Sequence, residues 1–362
     1  MAGTLLGLRT ESKLDRTWVE VDLEAVRANA RTVQQRSGAR LLPMIKADAY
    51  GLGAVPVAKA LDALDPWGFG VVAAEEGIAL REGGIVRPVV VVQPTLPMLA
   101  ACARAGLTPA LGSDDEIRAW LALGDLPFHV SVDTGMNRGG IAWDAFTAAI
   151  PAFADAPGFE GLMTHFHSAW DDPVSVRVQW ERFQAVLGAL PRRPALVHAA
   201  NSVAALGYPE VACDLVRPGI FLFGGRAGKH EPRPVVRWQA LTTRAAWVEP
   251  GATVSYGGRW TAQRRTCVVS VAAGYADGLR RSVEGKAAML VAGRRWPMAG
   301  AVTMDFTMLA AEEAPPAGAA ATLIGTDGDE TITLDTFAEW AGTISYEILT
   351  GLGPRVPRVY LG

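Results

Sequence analysis

The sequence predicts an α/β protein: a (β/α)8 TIM-like barrel over residues 1–237, N-terminal extension included, followed by a smaller, mostly-β domain over residues 238–362. Three observations carry that prediction. Eight short apolar runs alternate with helical patterns between Leu41 and Val216, and eight βα units are the number that closes a barrel. After Val235 the texture changes to short strand-like runs separated by turns. The unusual polar residues of the first half fall just after apolar runs, where the C-terminal ends of barrel strands would gather them at one mouth.

Trp18–Val21 alternates like a short strand, Asp22 suits an N-cap, and Leu23, Val26, Ala30 and Val33 recur at helical spacing. The first of the eight runs, Leu41–Ile45, ends on Lys46 and leads through a glycine-punctuated turn into a helical pattern. The others are Gly68–Val72, Val89–Val92, Thr108–Leu111, Phe128–Val132, Gly161–Thr164, Ala195–His198 and Asp214–Val216. Helices are expected at Ala54–Ala63, Ala74–Glu82, Leu96–Ala105, Ser113–Leu123, Trp143–Ala154 and Val174–Leu190. A doubly wound sheet is the competing layout, since one spurious strand breaks the count. In the second half, strands are expected at Trp238–Val248, Thr253–Tyr256, Thr266–Val271, Ala288–Val291, Arg295–Met298, Thr307–Leu309 and Ala321–Ile324, with a helical patch at Leu334–Ala341.

Half of the 362 residues are hydrophobic and a fifth are charged, the composition of a soluble globular chain too long for one ordinary core. The formal charge of −3 and the absence of a Lys/Arg tract argue against a nucleic-acid partner. No apolar run is long enough to span a membrane, and Met1–Leu8 lacks the basic region and cleavage site of a signal peptide. Cys102, Cys213 and Cys267 have neither metal-ligand nor paired spacing, so no metal is expected and a reducing, cytoplasmic setting is.

Lys46 stands where α/β domains do their chemistry. A partly desolvated lysine there has a lowered pKa and can form a Schiff base with an aldehyde cofactor, although its position alone better suits a solvated residue closing a strand. Arg138 lies on the glycine-rich stretch Asp133–Gly140, where an arginine suits a carboxylate bound bidentately. His165 and His167 follow the sixth run, and His165 alone also fits a hydrogen-bonded structural role. Asn201, Ser202, Gly219 and Ile220 offer amide, hydroxyl and backbone N–H donors for a phosphate, though the glycines could be plain turn residues. In the second half, Tyr275 interrupts a strand pattern among glycine-containing turns, which by itself suits a hairpin with a packed aromatic.

Together, Lys46–Gly51, Asp133–Met136, Thr164–Phe166, Ala200–Ser202, Val216–Ile220, Gly274–Gly278 and Met304-Asp305 resemble alanine racemase, a family of pyridoxal 5′-phosphate (PLP) enzymes with a barrel and a β domain. The resemblance runs from about Trp18 to the C-terminus. It implies an enzyme interconverting L- and D-alanine for peptidoglycan precursors. Lys46 would hold PLP covalently. Tyr50, Asn201, Ser202, Gly219 and Ile220 would hold the phosphate, Arg217 would face the pyridine nitrogen with His165 beside it, and Arg138 and the backbone of Met304 would bind the substrate carboxylate. Family members are homodimers, which implies that Tyr275 and Met304 complete the partner's site and that Lys46 and Tyr275 serve as bases on opposite faces of the substrate.

The chain departs from the family pattern at two places. Ser131 stands where a lysine, often carbamylated, usually orients the following arginine, and Pro354 stands where a phosphate-contacting tyrosine is common. A broader or serine-directed racemase is therefore the near alternative. A non-catalytic PLP carrier, which would resemble the barrel alone, and a PLP decarboxylase, which would need an acidic diamine site, are the more distant ones.

Overall fold

The structure, a computed structural model, describes residues 16–362. Met1–Leu8, expected not to be a signal peptide, lies outside the described residues. Two compact units emerge, one spanning residues 22–235 and the other combining residues 16–21 with 236–361.

In the first unit, six strands pair in parallel and in chain order: Phe69–Val71, Val89–Val92, Thr108–Leu111, Phe128–Asp133, Phe159–Met163 and Leu196–His198. Leu215–Val216 pairs in parallel with Arg40–Leu41. Two seams complete the ring. Met44 bridges Gly70, with Ile45 N–H donating to Gly70 O at 2.9 Å and Gly70 N–H to Pro43 O at 2.8 Å. On the other side Asp214 N–H donates to Val197 O at 3.0 Å and Arg217 N–H to Ala200 O at 2.8 Å. Eight parallel strands thus close on themselves, and the expected barrel, rather than a doubly wound sheet, is what the chain forms. The strands read as unbroken apolar runs because they are covered on both faces, Val89–Val92 being buried throughout.

Asp214 holds the second seam twice over. Besides its own N–H on Val197 O, its carboxylate accepts from Val197 N–H at 2.8 Å and pairs with Arg193 at 2.5 Å, while its backbone carbonyl accepts from Arg40 N–H of the first strand.

The helices follow the expected pattern with local differences set by proline. Leu23–Ser37 is capped by Asp22, whose carboxylate accepts from Ala25 N–H. The segment expected as Trp143–Ala154 is helical only at Phe146–Ala149 and then tightens into a 3₁₀ turn at Ile150–Ala152, because Pro151 removes an N–H. Pro97 has the same effect on Leu96–Met98 before the helix Leu99–Arg104. The turn after Lys46 is not shaped by glycine first. Ala47, Asp48, Ala49 and Tyr50 all take left-handed backbone angles, with φ between 50° and 58°, a conformation that disfavours L-residues by roughly 1–2 kcal/mol each.

The second unit is antiparallel. Its centre is the 13-residue strand Val236–Val248, which pairs with Thr266–Val271 and Ala320–Asp327 and, along Val236–Ala240, with Thr17–Asp22. The strand around Trp18–Val21, grouped with the barrel in the sequence reading, therefore takes its ladder partners from the β sheet. The other strands fall within a few residues of expectation, except that the one at Thr253 stops at Val254. Trp238 is buried against Phe337 of the helix Leu334–Ala341, and its indole N–H donates to Thr17 Oγ1 at 2.8 Å. Among the described residues no helix is long and apolar enough to cross a membrane.

Because Asp214 supplies both seam partners, Asp214→Ala should lower the unfolding free energy by about 1–3 kcal/mol by orphaning Val197 N–H. A denaturant titration checks this: the midpoint should fall at unchanged m, and an unmoved midpoint would show that the seam does not need the carboxylate.

Candidate active site

The C-terminal ends of the barrel strands bring together Lys46, Arg138, His165, Asn201, Ser202 and Arg217, as strand position alone anticipated. Arg217 organises this mouth. It is 3% exposed, and among the described residues its guanidinium donates to neutral acceptors alone. Nη1 reaches His198 Nδ1 and His198 O, each at 2.8 Å. Nη2 reaches Thr164 O at 2.6 Å, Ala199 O at 3.0 Å and His165 Nδ1 at 3.2 Å. Burial pushes its pKa down to about 9, which leaves it a cation at neutral pH. A guanidinium has only donors, so the Nδ1 of His165 must be the acceptor, and the His165 proton sits on Nε2. Burial, then the charges of Arg217, Arg138 and Lys46, hold His165 well below the usual histidine range, in keeping with a neutral ring.

Lys46 is half-buried. Desolvation lowers its pKa, the Arg138 cation lowers it further, and Glu76 partly opposes both. Glu76 also fixes the backbone here: its carboxylate accepts from Ala47 N–H at 2.5 Å, Val72 N–H at 2.9 Å and Ala73 N–H at 3.1 Å. The left-handed turn then swings Tyr50 back into the unit. Tyr50 packs on Phe223, with ring centroids 4.8 Å apart, and its hydroxyl lies where a Cβ at residue 219 would stand, only 2.2 Å away. That close approach is why residue 219 is glycine. Gly219 N–H donates to Ser202 Oγ at 2.8 Å. The Asn201 side chain caps Ser202–Gly207 by accepting from Ala204 N–H, and its amide donates to Phe166 O. Ile220 opens a 3₁₀ turn. Phenol, hydroxyl, amide and backbone N–H groups converge at this corner.

Arg138 is exposed and forms no ion pair among the described residues. Its loop is shaped by Asp133, which accepts from Gly135 and Asn137 N–H. The loop is anchored from below by Gln179, a residue the sequence reading did not single out. Buried Gln179 donates to Thr134 Oγ1 and His165 O and accepts from His167 N–H, tying the Arg138 loop to the His165 loop. A signal existed: Val176, Gln179, Phe183 and Val186 share the buried face of helix Pro173–Ala189, and only one of them is polar. Glu76 gave no comparable signal.

Tyr275 and Met304 belong to the second unit, on adjoining turns. Tyr275 N–H donates to Thr303 O and Ala276 N–H to Met304 O. Tyr275 is 45% exposed and Met304 52%. Behind them Asp277 is fully buried, accepting from Gly274 N–H and from Arg355 at 2.7 and 3.1 Å, while Arg355 also pairs with Asp305 at 2.8 Å. Locally the stretch is a 3₁₀ turn, Tyr275–Asp277, latched by an ion pair that sequence reasoning missed.

The chain matches the family of the alanine racemase N-terminal domain over residues 21–227 and that of the C-terminal domain over residues 235–360. It is 39% identical to the alanine racemase of Carboxydothermus hydrogenoformans, over 95% of this chain and 99% of that one. Among solved structures, alanine racemase from E. faecalis superposes with a TM-score of 0.90 at 31% identity, covering 95% of this chain and 98% of that one. Alanine racemase from Bartonella henselae, solved with covalently bound pyridoxal phosphate, gives 0.89 at 28% identity over 96% of this chain and 99% of that one. With both domain families matched in order over nearly the whole length, the chain belongs to the alanine racemase family.

Proposed function

We propose that the protein interconverts L- and D-alanine with PLP, using Lys46 and Tyr275 as the two proton-transferring groups, and that it supplies D-alanine for peptidoglycan in the cytoplasm. The observation that carries this reading is the Arg217–His165 contact at 3.2 Å beside a desolvated lysine, because it places an unyielding cation and a neutral imidazole donor at one mouth.

The donor set fits the cofactor. Lys46 is an amine with a lowered pKa, able to engage an aldehyde. Tyr50, Ser202, Asn201 and the backbone N–H of Ile220 form a neutral, donor-rich corner for a phosphate, with Gly219 N–H orienting the Ser202 hydroxyl. The Ser202 oxygen already accepts from Gly219 N–H, so its own proton is available to an anion. When bound, PLP supplies a conjugated, electron-accepting ring that makes the substrate Cα–H acidic.

The remaining chemistry belongs to the chain. Racemisation removes a proton from one face of Cα and returns one to the other, which two groups of different chemistry do without turning the substrate over. Lys46 would act on one face. Tyr275, from a second copy of the chain, would act on the other, and its exposure suits a residue completed by a partner. A tyrosine has an ordinary pKa near 10 and needs a donor to act as a base. His165 offers one: with Nδ1 committed to Arg217, its Nε2–H is free to stabilise a phenolate. Arg217 keeps its protons, so it would not pass one to a ring nitrogen beside it, and that restraint disfavours transamination. Arg138 would clamp the substrate carboxylate bidentately, with Met304 N–H as a second donor.

A serine-directed or broader racemase is the second reading. It is favoured by buried Ser131, which brings no charge to the neighbourhood of Arg138. Family membership over both domains sets aside the carrier and decarboxylase readings.

Tyr275→Phe should lower alanine racemisation in both directions by about 10²–10⁴-fold. The visible absorbance acquired with PLP should persist in that variant and disappear in Lys46→Ala. A chiral alanine assay beside an absorbance spectrum reads both, and full activity in Tyr275→Phe would refute the two-base scheme.

The lowered pKa of Lys46 also makes a prediction about stability without PLP. Below the ordinary lysine pKa the unfolded chain binds the Lys46 proton more tightly than the folded chain, so the native state bears a penalty at neutral pH that fades as pH climbs towards 10. Lys46→Met should therefore raise the melting temperature at pH 7, and the gain should shrink by pH 10. Calorimetry of the PLP-free proteins at the two pH values checks the sign.

A further inference from the structure

Below Arg217 the barrel interior contains a polar column where layers of branched aliphatic residues are usual. His198 and His129 are both fully buried. Arg217 Nη1 donates to His198 Nδ1 at 2.8 Å, so the His198 proton must sit on Nε2. That Nε2 lies 2.8 Å from His129 Nδ1, which must then accept, leaving the His129 proton on its own Nε2. His129 Nε2 is buried without a hydrogen-bond partner, yet Glu160 Oε1 stands 3.4 Å away on a side chain 34% exposed. The two imidazole links thus share one direction, donor to acceptor, away from a buried cation, and the last N–H faces a carboxylate 3.4 Å away.

Two further features show that the column is built. A Cβ at residue 161 would fall 2.5 Å from the His129 ring, so Gly161, next to Glu160, makes the space that ring occupies. His198 also supplies its own carbonyl to the same Nη1, so ring and backbone of one residue hold that side of Arg217. Burial and the nearby Arg217 charge keep His198 neutral, as the chain of donors requires.

We propose that His198, His129 and Glu160 are positioning residues: a one-way hydrogen-bond relay through the barrel core that anchors the Nη1 side of Arg217 and leaves its Nη2 side aimed at His165. Among the described residues Arg217 has no carboxylate partner, and the relay leads from it across two neutral rings to the His129 Nε2–H that faces Glu160. The guanidinium therefore keeps its charge at the mouth while its plane is fixed from below. This assignment rests on the racemase reading only for its catalytic consequence. The relay itself is a property of the folded chain.

The sequence contains five histidines, so selective ¹⁵N-histidine labelling of the whole protein makes the test tractable. At neutral pH, His129, His165 and His198 should all appear as Nε2–H tautomers. In Glu160→Gln the His129 Nε2–H resonance should move upfield and the His198 resonance should follow it. His129→Asn, whose Oδ1 still accepts from His198, should retain PLP and lose about twofold in kcat. His129→Leu should lose about tenfold in kcat with KM for alanine unchanged. An Nδ1–H tautomer at His198 or His129, or a Glu160→Gln spectrum identical to that of the native chain, overturns the relay. Equal kcat in His129→Leu and the native enzyme overturns its catalytic role. Should the native protein show no racemase activity, the tautomer and Glu160→Gln measurements still decide the relay on their own.

Discussion

A guanidinium is buried here without a carboxylate beside it. Leaving a charge in a protein interior is severely unfavourable unless its hydrogen-bonding capacity is met. Arg217 meets it with the carbonyls of Thr164, His198 and Ala199 and with two imidazole nitrogens. Those acceptors come from the ends of the sixth and seventh barrel strands, while the arginine comes from the eighth. They meet because the seventh strand lies between the other two, and Asp214 next to the arginine's own strand holds the seam between the seventh and eighth. The site and the seam therefore depend on each other. Carbonyl dipoles and neutral rings stabilise the charge without cancelling it, as a carboxylate partner would.

The electrostatics of the mouth follow from that choice. Lys46, Arg138 and Arg217 are close enough that Arg138 depresses the proton affinity of both Lys46 and Arg217, and all three act on His165. A cluster of cations with a neutral histidine favours anionic ligands, which agrees with a phosphate-bearing cofactor and a carboxylate substrate. The strain in the left-handed turn after Lys46 is consistent with the same design. Four unfavourable backbone conformations are held by Glu76 and by Asp48, whose carboxylate accepts from Ala54 N–H at 2.6 Å. The result places Lys46 at the rim and Tyr50 beneath Gly219. Strain retained by surrounding contacts at a functional position is a recurrent pattern.

Much of this was legible in the residues. Barrel strands are buried on both faces, so the all-apolar run Val89–Val92 announced itself, and the polar residues that followed the runs marked the mouth. Departures came where one local feature competed with a pattern. Pro151 broke a helix whose apolar spacing continued through it. Trp18–Val21 alternates as any half-buried strand does, and nothing in that alternation says which sheet it joins. Gln179 shares the apolar spacing of Val176, Phe183 and Val186, a sign of burial, but the spacing does not say which loops it ties together. The Asp277–Arg355 pair lies 78 residues apart in the chain, a separation over which spacing carries no information.

The sequence by itself determined the alternation of strands and helices, the two-part organisation and the set of residues able to do amine, phenol and carboxylate chemistry, because period, length and side-chain type are local properties. Tertiary structure alone decided which of those residues touch, which nitrogen of His165 and His198 faces Arg217, and which charges are left without counter-charges. Those are questions of distance and burial, and they are answered only when strands distant in the chain close into a ring.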